Sequence, residues 1–210
     1  MILRAFSCGP IDTNVYLLGC NETKKAWIID APSGASDVVK AEVDELGLNV
    51  EKIILTHSHW DHIADLSLLK KIYSVTVAVQ QEDASNVEHP GTDGLDLYFP
   101  IEGVKVDELL QGNELVNLGM LRIQIIHTPG HSPGGICLYL AEQKVLISGD
   151  TLFKGSLGRI DLPTSEPARM WASLKRLSEL PREVKVFPGH GASTTIGSES
   201  WLAHAEEFFS

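Results

Sequence analysis

Cysteine is scarce in this sequence: Cys8, Cys20 and Cys137 are the only three. They are scattered, odd in number and contain no C-x-x-C pair, which excludes a disulfide framework and a thiolate zinc cluster. They read as buried free thiols in a reducing cytoplasm. Long apolar runs are also missing, since no stretch approaches the roughly eighteen residues a membrane span requires. The start, Met1 to Pro10, lacks a basic region followed by a long apolar stretch, so no signal peptide is expected. Positive charge is limited: 17 Lys and Arg stand against 28 Asp and Glu, a net charge of −11. An acidic surface repels phosphate backbones, so neither nucleic acid nor membrane is an expected partner. No linker, low-complexity tract or repeat interrupts the chain, and residues 1–210 read as one domain. What is present is ordinary for a soluble globular protein, 43% hydrophobic and 21% charged residues.

Short β-rich runs alternate with helical patterns. Val15–Leu18 and Ala26–Asp30 read as neighbouring strands joined by a turn at Gly19–Glu22. In Ser36–Gly47, Val39, Val43 and Leu46 share one helical face, and Gly47 ends it. Lys52–Thr56 suits a buried strand, Ile63–Tyr73 a helix, and Val75–Val79 a strand. Glu88–Lys105, rich in Gly, Pro and Asp, reads as a long loop that either covers a substrate or is a plain surface excursion. Strands follow at Leu121–Ile126, Ile136–Leu140, Lys144–Ser148 and Val184–Phe187, with helices at Glu166–Leu180 and Glu199–Phe209. Two groups of strands, each followed by helices, suggest two packed sheets with helices outside, while a doubly wound sheet also satisfies the pattern.

The eight histidines are unevenly placed. His57, His59 and His62 fall within six residues, with Asp61 among them. His131, Asp150 and His190 each follow a short apolar strand, as His57 does. Ligands at the carboxyl ends of neighbouring strands converge on one point. A lone histidine is more often a surface or core residue than a ligand, but five histidines and two acids in four strand-end segments are not explained that way. In an extended loop, residues two apart point the same way, so His57 and His59 can share one metal. A turn into the next helix would face Asp61 and His62 to a second. Imidazole and carboxylate donors suit zinc, iron or manganese. His127 reads as a strand end or a supporting residue, and His89 and His204 as surface residues. Trp60 and Phe153 read either as pocket lining or as simple packing, and Arg159 and Asp161 as an ion pair holding the loop after Asp150.

The segments Thr56–His62, His127–His131, Gly149–Thr151 and Pro188–His190 resemble, in order and spacing, the metal motifs of the metallo-β-lactamase superfamily. The resemblance runs from about Thr13 to Gly191. It implies an α/β fold, an αββα sandwich of two mixed β-sheets with flanking helices. Within the superfamily the likeness is to short bacterial members of the glyoxalase II (hydroxyacylglutathione hydrolase) group, through Gly149–Pro163. It implies two divalent ions, zinc first among them: one held by His57, His59 and His131, the second by Asp61, His62 and His190, with Asp150 bridging. It further implies hydrolysis of a small-molecule thioester by water activated at the metals, with Asp61 as the catalytic residue that orients it. True β-lactamases are less similar, because they lack the bridging Asp and one class uses a Cys ligand. Longer glyoxalase II enzymes add a helical domain with basic residues for glutathione. Here twenty residues follow His190, so the resemblance reaches the metal chemistry and stops short of glutathione recognition. Persulfide dioxygenases resemble the same motifs and imply a different enzyme, with one iron held by His57, His131 and Asp150.

Overall fold

A computed structural model describes residues 1–210. The first half forms a sheet of β1 (Ile2–Cys8), β2 (Thr13–Gly19), β3 (Lys25–Ile29), β4 (Asn49–Ile54), β5 (Thr76–Gln80) and β6 (Glu108–Leu110), paired in that order. The first three strands run antiparallel and the rest join in parallel. Its helices are α1 (Ala35–Leu46), α2 (Trp60–Ile63), α3 (Leu66–Tyr73) and α4 (Ala84–Glu88). The second half forms a sheet of β7 (Leu115–Leu118), β8 (Leu121–His127), β9 (Ile136–Leu140), β10 (Val145–Gly149), β11 (Lys185–Pro188) and β12 (Thr194–Thr195), with α5 (Pro167–Ser178) and α6 (Ala205–Phe209). Only β10 and β11 pair in parallel there.

Alternate side chains on the central strands set the layers. On β2, Val15 and Leu17 join the cluster beneath α1 and α3, while Tyr16 and Leu18 join the cluster between the sheets. On β3, Ala26 and Ile28 likewise part from Trp27 and Ile29. On β9, Ile136, Leu138 and Leu140 face the first sheet, while Cys137 and Tyr139 pack under α5 and α6 with Met170 and Leu174. Strands apolar on both faces require cover on both. The layering is therefore helix, sheet, sheet, helix, which is the αββα sandwich, and the doubly wound alternative is excluded by the two separate sheets. No helix is long and apolar enough to cross a membrane.

Several elements differ from expectation. The helix expected over Ile63–Tyr73 breaks after Ile63, where Asp65 donates its N–H to the Ala31 carbonyl and accepts from the Ser36 N–H. The helix expected over Glu199–Phe209 reduces to a 3₁₀ turn and the short α6. Its first residue, Glu199, instead accepts from the Gly155 N–H, the Thr194 hydroxyl and the Trp201 indole. The strands β1, β6, β7 and β12 and the helix α4 were not anticipated. Cys20 and Cys137 are buried free thiols, but Cys8 is only half-buried at the end of edge strand β1.

Candidate metal centre

Four strands of the two sheets end beside one another, and the loops that leave them carry the ligand-type residues. His57 and His59 follow β4, and the chain is extended at His59 before α2 opens at Trp60. Asp61 and His62 thus sit in the first turn of α2. His131 follows β8, Asp150 follows β10, and His190 follows β11. Because β10 and β11 run parallel, Asp150 and His190 leave their strands side by side. The chain comes close enough there that a Cβ on Gly189 would overlap Asp150 Oδ1.

Three sets of donor atoms lie within 4.8 Å of one another: His57, His59 and His131; His57, His62 and Asp150; Asp61, His62 and His190. All seven residues expected from the sequence are therefore gathered in one place. Asp150 stands between the histidine groups. Its Oδ1 is 3.4 Å from His62 Nε2 and its Oδ2 is 3.4 Å from both His131 Nε2 and His190 Nε2. Asp61 Oδ2 is 3.3 Å from His62 Nε2 and from His190 Nε2.

The far side of each ring is tied down. His62 Nδ1 is 2.9 Å from Asp30 Oδ2, His131 Nδ1 is 2.8 Å from the Arg159 carbonyl, and His190 Nδ1 is 3.2 Å from the Ile11 carbonyl. Thr56 Oγ1 donates to Asp30 Oδ2 at 2.8 Å, so it can accept from His57 Nδ1 at 3.1 Å. Each contact places the proton on Nδ1 and leaves the Nε2 lone pair facing inward, as a metal-binding imidazole needs. His59 has the opposite orientation, with Nδ1 turned inward to 2.8 Å from His131 Nε2. The inward atoms His57 Nε2, His62 Nε2 and Asp150 Oδ1 are buried with no hydrogen-bond partner. Orphaned buried donor atoms of this kind are costly unless something satisfies them, and nitrogen and carboxylate oxygen in this arrangement fit divalent cations.

The electrostatics agree. Burial, helped by His62 and the other rings, holds His57 well below its usual range, and burial followed by His131 pulls His59 down to about 3. For His62, burial opposes the charged form, but Asp61, Asp30 and Asp150 outweigh it and raise it well above the usual value. His190 rises against burial to about 10 through Asp150 and Asp61. Burial likewise opposes ionisation of both acids, yet His62 and His190 bring Asp61 down to about 2 and Asp150 well below the ordinary carboxylate range. The site thus favours ionised carboxylates and gathers positive charge around them.

The ligands open onto a cavity of about 530 Å³. Trp60 and Phe153 both line it, which decides between the two readings of those aromatics. The long loop lines it too, through Leu95, Asp96 and Tyr98, with the Tyr98 ring 4.9 Å from that of Trp60. The Arg159–Asp161 pair forms, at 2.9 and 3.0 Å.

The sequence model of the metallo-beta-lactamase superfamily matches residues 8–190. The chain belongs to that superfamily. Among its relatives, a probable metallo-hydrolase, YqgX of Bacillus subtilis, is 31% identical over 93% of both chains. Hydroxyacylglutathione hydrolase GloC of Haemophilus influenzae is 31% identical over 85% of this chain and 86% of its own. The crystal structure of the BLEG-1 B3 metallo-beta-lactamase superposes with a TM-score of 0.87 at 33% identity, covering 94% of this chain and 95% of that one. TTHA1623, solved in a di-iron-bound form, gives 0.79 at 35% identity, covering 93% and 96%. ETHE1 from Myxococcus xanthus gives 0.79 at 27% identity, covering 99% and 88%.

The remaining histidines lie outside these donor groups. His127 ends β8, with Nε2 2.8 Å from the Pro133 carbonyl, and His89 and His204 are exposed. Sequence reasoning missed three supporting residues. Asp30, 1% exposed, binds His62 together with the Thr56 hydroxyl and N–H. The Thr13 hydroxyl donates to Asp61 Oδ2 at 2.7 Å. Asp83 accepts from the backbone N–H groups of Ser58 and Gly134, tying the loop of His57 to that of His131. Asp30 carried a usable signal, since it too follows an apolar strand.

Proposed function

We propose that this protein is a binuclear metallohydrolase that cleaves a small-molecule thioester, S-acylglutathione or a related compound. The observation that supports it is Asp150, whose two oxygens face both histidine groups at 3.4 Å, as suits a ligand shared between two ions. His57, His59 and His131 would hold one ion, and Asp61, His62 and His190 the other. Zinc is proposed first; iron and manganese suit the same donors, and TTHA1623 was solved with iron. Such ions, when bound, lower the pKa of a coordinated water to about 7 and polarise a carbonyl. Asp61, fixed by the Thr13 hydroxyl and lining the cavity, is the carboxylate proposed to orient the attacking water. No lysine lines the cavity, and no histidine outside the ligand set does. A departing thiolate needs no strong acid, whereas a departing amine does, and this favours a thioester over an amide. The relative GloC, a hydroxyacylglutathione hydrolase by name, is matched over 86% of its own length, which supports the thioesterase reading. Neither nucleic acid nor membrane is proposed as a partner.

The test is hydrolysis of S-lactoylglutathione and of an uncharged acyl thioester by zinc-loaded protein, with a lactone, a persulfide and a β-lactam assayed beside them. Asp150→Ala is expected to abolish thioester turnover and to lower the metal content. Full turnover by metal-free Asp150→Ala protein would sink the reading. A second reading is a mononuclear iron dioxygenase using His57, His131 and Asp150, since a two-His, one-carboxylate set suits non-haem iron. The likeness to ETHE1 from Myxococcus xanthus, at a TM-score of 0.79 and 27% identity, supports it, whereas the two irons of TTHA1623 support the binuclear site. One iron per chain, with oxygen uptake on a persulfide and no thioester cleavage, would select it.

A further inference from the structure

Outside the ligand set, Arg159 is the single basic side chain on the cavity wall. Around it the wall is mostly apolar, with Trp60, Tyr98, Phe153 and Leu162, and its other charges outside the ligand set are acidic, Asp96 and Asp161. The Arg159 guanidinium is already engaged: Nε donates to Asp161 Oδ1 at 2.9 Å and a terminal nitrogen to Asp161 Oδ2 at 3.0 Å. Both side chains are 69% exposed, and an exposed pair adds little to stability. Nor does the loop depend on it, because the Arg159 carbonyl is held separately by His131 Nδ1 at 2.8 Å. The consequence of the pair is chemical. A guanidinium fork is the group that takes a carboxylate with two parallel hydrogen bonds, and here the fork is filled from within the chain.

Resting on the thioesterase reading, we propose that Asp161 determines specificity by occupying Arg159, so that the cavity favours acyl thioesters with an uncharged thiol part over those, such as glutathione thioesters, that carry carboxylates. An anionic substrate must displace Asp161 from Arg159 or bind without that cation, whereas an uncharged one does neither. The two neighbouring acids disfavour the anion further.

The experiment uses the metal-loaded full chain and one acyl group on two thiols, glutathione and N-acetylcysteamine. The quantity read is the ratio of kcat/KM for the glutathione thioester to that for the uncharged one. Asp161→Asn should raise the ratio about three- to fivefold, the size of a surface ion pair's competition. The change should lie in KM and shrink as salt is added, since the freed guanidinium is screened. Adding Arg159→Gln to Asp161→Asn should return the ratio to the wild-type value or below. An unchanged ratio in Asp161→Asn overturns the proposal, as does a raised ratio that persists without Arg159. If the wild type cleaves neither thioester, the thioesterase reading falls and this inference with it. Cleavage of both with an unmoved ratio overturns this inference alone.

Discussion

At the scale of single residues, some of the candidate ligand histidines depend on groups that do not line the cavity. Asp30 is the clearest case, because it orients His62 directly and His57 through Thr56. Partners of this kind fix the tautomer and the ring plane, and their removal typically costs about 10- to 100-fold in metal affinity. Asp30→Ala is expected to show that loss by chelator competition, while circular dichroism reports an intact fold; unaltered affinity would refute the role. The seven candidate ligands that the structure gathers were legible in the sequence because histidine and aspartate crowd into strand-end segments that composition alone does not explain. Thr13 and Asp83 were not. A threonine after a turn and an aspartate after a strand are common, and only the folded chain shows that Thr13 meets Asp61 and that Asp83 meets Ser58 and Gly134.

At the scale of elements, the central strands were legible because apolar runs of four to six residues leave little alternative. The edge strands were not. β6 and β7 carry an exposed residue at Leu109 and at Leu115, and β12 is two residues long, so neither periodicity nor length marks them. The long loop between α4 and β6 was recognised as a loop, but its two readings could be separated only by seeing Tyr98 beside Trp60. Asn86 of α4 positions it. Its amide nitrogen donates to the Ser58 carbonyl at 2.7 Å and to Asp93 Oδ2 at 2.9 Å, and its oxygen accepts from the Gly91 and Asp93 N–H groups. One buried side chain thus links the cavity-lining loop to the loop that carries His57 and His59. Asn86→Ala leaves several of these groups unpaired and should cost about 1–3 kcal/mol of stability, read as a lowered Tm. It should also raise KM more than it lowers kcat, because the loop lines the cavity while the ligands keep their other supports. A KM equal to that of the wild type would count against the link.

At the scale of the molecule, strands apolar on both faces fit two packed sheets and a doubly wound sheet alike, and strand pairing, which the sequence does not print, decides between them. The buried charges act at this scale as well, through the pH dependence of stability. In metal-free protein, His190 and His62 are raised above 6.5, so their contribution is full below 6.5 and is lost as pH climbs, for His190 toward about 10. His57 and His59 are depressed below 6.5, so stability is lost as pH falls beneath 6.5, for His59 toward about 3. Asp61 adds a further loss between 3.8 and about 2. The Tm of chelator-treated protein should therefore peak near neutral pH and fall on both sides. Metal should flatten the alkaline limb, because cations replace the protons that limb loses. A metal-free Tm that rises steadily from pH 6.5 to 10 would contradict this assignment.

The strand β2 begins in contact with a stretch of chain met almost at the far end of the sequence. Asn14 Nδ2 donates to the carbonyls of Pro188 and Gly191, and Tyr16 Oη donates to that of Pro188, across 172 to 177 residues of sequence. Contacts between such distant residues are the slowest to be reached during folding, since the whole intervening loop must close first. His190 can join Asp61 and His62 in their triad only once that loop has closed. Capture of the ion at that triad would mark the moment the two halves of the polypeptide have locked together.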